Sequence, residues 1–251
     1  MEASHIIEVK NLSKKFGGFT AVDQISFTVN KGEIFGFLGA NGAGKTTAIR
    51  MLCGLMKPTS GAASVAGYDV FTQAEKIRKN IGYMSQLFSL YQDLTVRENI
   101  RFYAGIYGMT GKEIRQKGDR LISRLGMEGM ADQLVGDIPL GWKQKLAFSV
   151  AVIHQPKIVF LDEPTGGVDP ITRRQFWDLI YDAAMEGITV FVTTHYMDEA
   201  EYCDRISMMV DGQIAALDKP SVLKKHFGCQ TMDEVFYELA RNQRSSSHET
   251  I

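Results

Sequence analysis

The sequence predicts an α/β fold with a mainly parallel sheet, antiparallel β strands near the N-terminus and an inserted helical subdomain. Apolar strand patterns alternate with helical patterns along most of the 251 residues, which is typical of a parallel sheet. Two strand patterns, over residues 6–10 and 25–29, flank a loop and predict the antiparallel strands. Between about residues 87 and 138 helical patterns occur without a convincing strand pattern, which predicts a helical subdomain inserted into the α/β core.

The remaining elements follow in chain order. Further strands are predicted over residues 34–38, 62–66, 80–86, 158–162, 189–194, 206–210 and 214–217. Helices are predicted after the third strand and over residues 95–107, 112–125, 142–154 and 173–185, with another from residue 231. The helix at residue 95 begins with a capping box formed by Thr95 and Glu98. One domain over residues 1–240 is therefore predicted, with a polar, Ser-rich and disordered tail over residues 241–251.

Composition narrows the class of protein. Lys and Arg number 28 against 29 Asp and Glu, so the net charge is −1 and no nucleic-acid partner is predicted. Cys53, Cys203 and Cys229 form no CxxC pair, which favours buried thiols in a reducing compartment. No apolar run approaches the roughly 18 residues of a membrane span, and no signal-peptide pattern opens the sequence. We therefore expect a cytoplasmic chain that leaves any membrane spanning to other polypeptides.

A glycine-rich stretch, called the phosphate loop here, follows the predicted strand at residues 34–38 and precedes a helical pattern. Its residues are Gly39, Ala40, Asn41, Gly42, Ala43, Gly44, Lys45, Thr46 and Thr47. This G-x-x-x-x-G-K-[ST] spacing between a strand and a helix predicts a phosphate site made of backbone N–H groups and a helix N-terminus. Lys45 is expected to reach terminal phosphates, and the Thr46 hydroxyl is expected to ligate Mg²⁺.

Polar residues end three other predicted strands. Asp162 and Glu163 end one of them, Gln86 ends another, and His195 follows a third. Because carboxyl ends of parallel strands share one edge of a sheet, we expect these side chains near the phosphate loop. Asp162 suits Mg²⁺, directly or through water, and Glu163 suits a water that attacks the terminal phosphate. Gln86 would ligate Mg²⁺ or position water, and His195 would hydrogen-bond the γ-phosphate.

Taken in order, these motifs resemble those of ABC-transporter nucleotide-binding domains. The resemblance includes the Gly-x-Lys-Gln-Lys helix, Leu-Asp-Glu-Pro-Thr and Asp169, and it covers roughly residues 6 to 220. It implies a P-loop NTPase fold of the ABC ATPase type. It also implies ATP and Mg²⁺ as cofactors, with ATP held between two such domains.

The resemblance also assigns roles to individual residues. Phe16 resembles the aromatic residue that stacks on adenine, and residues 39–47 resemble the Walker A segment. Gln86 resembles the Q-loop glutamine, and residues 158–162 resemble Walker B. Glu163 is then the catalytic acid, His195 the switch histidine and Asp169 part of the D-loop, and Lys45 completes the catalytic set.

One segment departs from the family pattern Leu-Ser-Gly-Gly-Gln. In its place this chain has Pro139, Leu140, Gly141 and Trp142, called the signature segment here. Proline supplies neither a hydroxyl nor an N–H to the γ-phosphate of a partner domain. The N–H groups of Gly141 and Trp142 could still face the phosphate, so we expect dimerisation and slow hydrolysis to persist.

The resemblance implies a subunit that hydrolyses ATP for a membrane transporter, most similar to the export type. Its partners would be a second ABC ATPase subunit, identical or different, and separate transmembrane subunits that it meets at the inner face of the cell membrane. Two alternatives stay open at this stage. One is a soluble ABC-type ATPase of DNA repair or translation, and the other is a nucleotide-gated module whose altered signature segment has ended turnover.

Overall fold

The computed structural model of the chain describes residues 5–86 and 90–248, the last of these, 242–248, by their backbone alone. The start of the predicted helical insertion, at residues 87–89, and the end of the predicted tail, at 249–251, lie outside the described residues. The strands are β1 (His5–Phe16), β2 (Phe19–Asn30), β3 (Ile34–Gly39), β4 (Ser60–Val65), β5 (Tyr68–Asp69), β6 (Ile81–Met84), β7 (Ile158–Asp162), β8 (Thr189–Thr194), β9 (Arg205–Val210) and β10 (Gln213–Asp218). The α-helices are α1 (Lys45–Leu52), α2 (Ala74–Asn80), α3 (Val96–Ile106), α4 (Gly111–Leu125), α5 (Leu140–Val152), α6 (Pro170–Met185), α7 (Pro220–Phe227) and α8 (Met232–His248).

The strands form two sheets, which confirms the predicted α/β fold. The first has the order β2-β1-β4-β5 and is antiparallel. The second has the order β10-β9-β3-β8-β7-β6, and its strands pair in parallel except for the terminal β9–β10 pair. In this sheet β8 lies between β3 and β7, so the strand that precedes the phosphate loop is two positions from the strand that ends in Asp162.

Large aromatic side chains fill the space between the sheets. Phe27 of β2 stacks on Phe35 of β3 with ring centroids 5.6 Å apart, and Phe37 lies 5.3 Å from Phe191 of β8. These four aromatic side chains are at most 5% exposed, and burial of each ring is worth about 2–3 kcal/mol. The core therefore fixes β3 against β8, the two strands whose ends border the site.

The inserted helices lie between β6 and α5. They comprise α3, α4 and two 3₁₀ turns, Glu128–Met130 and Val135–Asp137, and no strand occurs in residues 90–138. Both helices begin with complete capping boxes, at Thr95 with Glu98 and at Thr110 with Glu113. Gly118 sits within α4 because a Cβ there would lie 3.3 Å from Ile100 of α3, so glycine permits close packing of the two helices. The structure thus shows the helical subdomain that the sequence predicts.

The C-terminal region is helical along most of its described length. The backbone of α8 continues to His248, and the predicted disorder of residues 241–251 stays a prediction. Met232, Val235 and Leu239 form the buried stripe that holds the first half of this helix on the core. The predicted boundary of the domain at residue 240 stays a prediction. Within residues 5–86 and 90–248, none of the helices is both long enough and apolar enough to cross a bilayer.

Candidate active site

The phosphate loop joins β3 to α1, as predicted. Gly44 immediately precedes α1 with φ at 105°, a left-handed conformation that favours glycine. A Cβ at Gly44 would lie 2.4 Å from the carbonyl oxygen of Ala21 in β2. The loop is therefore packed tightly against the antiparallel sheet, and its backbone path requires glycine here.

Lys45 directs its ammonium group into the loop instead of into solvent. Its side chain is only 4% exposed, and Nζ donates to the carbonyl oxygens of Gly39 at 2.8 Å and Ala40 at 3.1 Å. Nζ also lies 3.2 Å from Oε1 of Glu163. The predicted cation and the predicted catalytic acid are thus in contact, although 118 positions separate them in sequence (163 minus 45).

Asp162 lies at the end of β7 beside the start of α1. Its Oδ1 accepts hydrogen bonds from the hydroxyls of Thr193 at 2.8 Å and Thr46 at 3.2 Å. Burial raises the pKa of Asp162, and these two hydroxyls offset part of the rise. The Asp162 carboxylate and the Thr46 hydroxyl, both predicted Mg²⁺ ligands, are thereby adjacent.

Glu163 follows directly but turns away from its neighbour. Its φ of 50° is left-handed, which is uncommon for a residue with a side chain. The Glu163 N–H is held by the hydroxyl oxygen of Thr193 at 3.0 Å. Thr193 of β8 therefore contacts both acids, donating to one carboxylate and accepting from the backbone of the other, and it fixes their different directions.

Three predicted site residues meet at the carboxylate of Glu163. Besides Lys45 at Oε1, Gln86 Nε2 donates to Oε2 at 2.9 Å, and Nδ1 of His195 lies 3.2 Å from the same oxygen. The Glu163 side chain is 9% exposed and that of His195 is 32% exposed. His195 is therefore more accessible than the carboxylate that it contacts. The amide N–H₂ of Gln86 is the group that contacts Glu163, and the predicted role of its amide oxygen toward Mg²⁺ or water stays a prediction.

Phe16 lies at the exposed end of β1, 48% accessible, and pairs with Phe19 across the turn into β2. The ammonium group of Lys14 lies 5.1 Å from the centre of its ring. This turn leads within two residues to Ala21, which borders the phosphate loop at Gly44. The stacking of Phe16 on adenine stays a prediction.

The signature segment forms a second location on the same domain. A cleft of about 360 Å³ is lined by Pro139, Leu140, Gly141, Trp142, Lys145, Gly167, Val168, Asp169, Thr172 and Gln175. The structure thus brings the signature segment and Asp169 together, as the resemblance implies. Asp169 caps α6 by accepting from the N–H groups of Ile171 and Thr172, both at 3.0 Å.

The start of α5 corrects one detail of the prediction. Pro139 precedes the first helical residue as the N-cap, with φ −60° and ψ 153°. Its carbonyl oxygen accepts from the N–H of Trp142 at 3.0 Å and of Lys143 at 3.1 Å. The Trp142 N–H is therefore used inside the helix, so the N–H groups that the helix start can offer a ligand are those of Leu140 and Gly141.

Several buried polar residues around the site were not found from the sequence. Thr193 organises both acids, Thr165 and Gln144 fix the loop after Glu163, and Glu199 follows His195 by one turn. A signal for Thr193 exists, because two threonines end an otherwise apolar strand before His195. Gln144 belongs to the Gly-x-Lys-Gln-Lys motif, but the motif does not indicate that its side chain is buried against Gly166, and no element was predicted around Glu199.

A phosphate loop whose helix start contacts the acidic end of a strand two positions away defines a P-loop nucleotide-binding protein. The family model described as "ABC transporter" matches residues 22–166, and the chain belongs to that family. This confirms the resemblance inferred from the motifs.

Relatives within the family include proteins named as export components. The chain is 48% identical over 239 residues to "Probable multidrug ABC transporter ATP-binding protein YbhF" of Escherichia coli K12, covering 93% of this chain and 41% of that relative. The chain thus spans about two fifths of the length of that protein. It is 37% identical over 229 residues to "Nod factor export ATP-binding protein I" of Rhizobium sp. strain N33, covering 90% of this chain and 75% of that one.

Solved structures agree with this assignment. An ATP-binding subunit of an ABC transporter superposes with a TM-score of 0.84 at 28% identity, covering 93% of this chain and 99% of that one. The ATP-binding cassette MJ0796, in a dimeric post-hydrolysis state bound to ADP and Pi, gives 0.77 at 26% identity, covering 85% and 98%. The predicted P-loop NTPase fold of the ABC ATPase type is confirmed.

Proposed function

We propose that this chain binds ATP with Mg²⁺ and hydrolyses it while paired with a second domain of the same type. The observation that carries the proposal is the convergence of Lys45, Gln86 and His195 on the buried carboxylate of Glu163, beside the phosphate loop. A cation, an amide and an imidazole around one carboxylate form a site that can position a water molecule and a phosphate oxygen together.

The proposed roles follow from this geometry. Glu163 accepts the proton of the attacking water, because its carboxylate lies beside Lys45 of the phosphate loop and next to His195, which is 32% exposed. Lys45 and the N–H groups of the phosphate loop hold the phosphates, and their positive charge favours the charge that develops on transfer. His195 donates to a γ-phosphate oxygen, and Gln86 keeps the Glu163 carboxylate oriented.

The residues near Asp162 fit a magnesium ion. Oxygen is the ligand atom that Mg²⁺ prefers, and the Asp162 carboxylate and the Thr46 hydroxyl present oxygens 3.2 Å apart. In the part of the chain that the structure describes, no group of three His, Cys, Asp or Glu side chains could hold a metal on its own. Thr46 and Asp162 would therefore bind the ion together with phosphate oxygens, and the amide oxygen of Gln86 is a further proposed ligand. The ion would neutralise phosphate charge.

A second copy or a related subunit completes the site in this proposal. The cleft at the signature segment is open and presents the start of α5, Asp169 and exposed Leu140 to a partner. The MJ0796 cassette is dimeric in its ADP- and Pi-bound state. The signature segment of one domain would then face the phosphate loop of the other, at either a homodimeric or a heterodimeric interface.

The proposed cellular role is to drive an exporter from the cytoplasmic face of the cell membrane. Its support is the similarity to proteins named for multidrug and Nod factor export. The helical subdomain exposes an aromatic patch in which Tyr91 and Phe102 lie 4.7 Å apart, with Ile106 62% exposed nearby on α3. Such a patch fits a docking helix of a separate transmembrane subunit.

Steady-state ATP hydrolysis by the purified chain tests the proposal. Glu163→Gln keeps the size of the side chain but cannot accept the proton, so turnover is expected to fall by about 10²–10⁴-fold while nucleotide binding persists. Glu75→Gln changes an exposed acid in the first turn of α2 that has no proposed role in catalysis; it is the matched control and should leave turnover unchanged. Equal turnover of wild type and Glu163→Gln would refute enzymatic function and favour a nucleotide-gated module.

A further inference from the structure

The residues between Glu163 and Asp169, called the 163–169 segment here, connect the proposed general base to the partner-facing cleft. Glu163 begins the segment with a left-handed φ, and its carbonyl oxygen accepts from the N–H of Gly166 at 3.2 Å. Asp169 ends the segment as the cap of α6. Only five residues lie between Glu163 and Asp169. A displacement of Asp169 would therefore move Glu163, unless contacts with other elements hold the segment in place.

Two buried side chains hold the middle of the segment from opposite elements. Gln144 of α5 donates its amide N–H to the carbonyl oxygen of Gly166 at 3.1 Å. Glu199, in the 3₁₀ helix Met197–Tyr202, accepts from the hydroxyl of Thr165 at 2.7 Å. The exposed fractions of Gln144 and Glu199 are both 0%, and that of Thr165 is 1%. The segment is thus fixed by two side-chain hydrogen bonds that water cannot easily replace.

Glu199 also connects the segment to the switch histidine. Its Oε1 lies 3.8 Å from Nε of Arg173, and the guanidinium group of Arg173 lies 3.9 Å from the ring centre of Tyr196. Tyr196 in turn lies 4.2 Å from the ring of His195. A continuous set of contacts therefore runs from Thr165 through Glu199 and Arg173 to His195.

The burial of Glu199 is unfavourable for folding taken alone. Its second carboxylate oxygen, Oε2, is buried without a hydrogen-bond partner among the described residues, and so is Oε1 of Gln144. Apolar side chains of similar volume often replace buried charged groups without loss of stability. A role in holding Thr165 accounts for a carboxylate at this position better than packing does.

The geometry points to Glu199 as a positioning residue that holds Thr165, and through it the 163–169 segment, so that Glu163 and His195 respond together to a partner at Asp169. This inference rests on the proposed ATP hydrolysis and deepens it. Glu199 and Thr165 make no contact with ATP in this arrangement, so nucleotide affinity should not depend on them. Turnover and the local stability of the 163–169 segment should instead depend on the hydrogen bond between these two side chains.

Removal of the Thr165 hydroxyl tests the inference in the full chain. Thr165→Val should lower kcat by about tenfold or more, as expected for loss of one hydrogen bond to a charged group, with KM for ATP changed less than about twofold. Thr165→Ser restores the hydroxyl and should retain most of the turnover. Thr72→Val is the matched control, because it removes another threonine–carboxylate bond of 2.8 Å, to Asp69, on the exposed surface; it should leave kcat unchanged.

Two further measurements separate this inference from the proposed function. In the double variant Thr165→Val with Glu199→Gln, the loss in kcat should not exceed that of the more impaired single variant, whereas fully multiplicative losses would show that the two residues act independently. Amide hydrogen exchange in residues 163–169 should accelerate in Thr165→Val but not in Thr165→Ser, whether or not the chain hydrolyses ATP. Unchanged exchange and unchanged kcat in Thr165→Val would overturn the inference, while absence of turnover in wild type alone would refute only the proposed function.

Discussion

Replacement of Asp162 by asparagine should stabilise the fold and weaken Mg²⁺-dependent nucleotide binding at the same time. Burial raises the pKa of Asp162 above its ordinary value of 3.8. The folded chain therefore binds a proton at the Asp162 carboxylate more tightly than the unfolded chain does. Ionisation of this carboxylate consequently lowers the free energy of unfolding. This penalty is absent below the unfolded pKa, grows as the pH rises from the unfolded to the folded pKa, and is complete above the folded pKa.

The structure limits the other effects of the substitution. The hydroxyls of Thr193 and Thr46 donate to Oδ1 of Asp162 at 2.8 Å and 3.2 Å, and asparagine keeps an oxygen at this position that should accept both bonds. Ion binding, by contrast, loses a charge-assisted contact worth about 1.5–3 kcal/mol, which corresponds to about 10–150-fold in affinity. Function and stability are therefore expected to move in opposite directions at this residue.

Two assays check this prediction. Thermal unfolding from pH 3 to 8 should show a higher Tm for Asp162→Asn than for wild type at neutral pH, with the difference vanishing toward pH 3. Binding of a fluorescent ATP analogue should weaken in Mg²⁺ but change little in EDTA. Asp204→Asn is the control, because Asp204 accepts from the backbone N–H of Ile34, at 2.9 Å, at the opposite end of β3 from the phosphate loop. A lower Tm at pH 7, or equal loss of binding with and without Mg²⁺, would refute the reasoning.

Three other predictions concern the loop, the signature segment and a buried histidine. Pro139→Ser with Leu140→Gly should raise ATP turnover of the homodimer up to about tenfold, through one recovered charge-assisted bond, and unchanged turnover would show that Pro139 does not limit it. In urea denaturation, Gly44→Ala should lower the free energy of unfolding by about 2 kcal/mol or more, since its Cβ would lie 2.4 Å from the carbonyl oxygen of Ala21. The Cβ of Gly42→Ala would meet no atom within 4 Å, so this variant should lose only about 1 kcal/mol, the cost of its left-handed backbone. Burial lowers the pKa of His154 from 6.5 to about 4. As the pH falls from 6.5 to about 4, the unfolded chain protonates this histidine more than the folded chain does, so the free energy of unfolding of wild type should decrease. His154→Phe should lose less over the same interval in denaturation at pH 4–7, and identical pH profiles would contradict this.

Motifs with fixed local geometry were predictable from the sequence. The phosphate loop, the capping box at Thr95 and the hairpin between β9 and β10 each depend on neighbouring residues, so spacing alone identifies them. The contact of Asp162 with Thr46 followed from the rule that parallel strands share an edge. These predictions needed no knowledge of distant packing.

Interactions between distant elements were not predictable in detail. The sequence does not indicate that Gln86 would contact Glu163 through its amide N–H₂, because that choice depends on the direction in which Glu163 leaves β7. It also does not indicate that Gln144 and Glu199 are buried, since the elements that cover them come from other parts of the chain. A polar composition predicts disorder after residue 240, and it does not indicate how far the backbone of α8 continues past the last stripe residue, Leu239.

Two features that ordinary folding disfavours coincide at the site: a left-handed backbone and a buried pair of charged side chains. Glu163 adopts a left-handed φ that costs about 1 kcal/mol or more, and it does so where β7 gives way to the 163–169 segment. Lys45 and Glu163 are both buried charges, which an apolar pair could replace without loss of packing. Because β3, β7 and β8 are otherwise buried and regular, the free energy that these strands provide is sufficient to tolerate such strain at their common edge. The backbone turn at Glu163 is what directs two consecutive acids to different tasks, with Asp162 toward the Thr46 hydroxyl and Glu163 toward Lys45, Gln86 and His195.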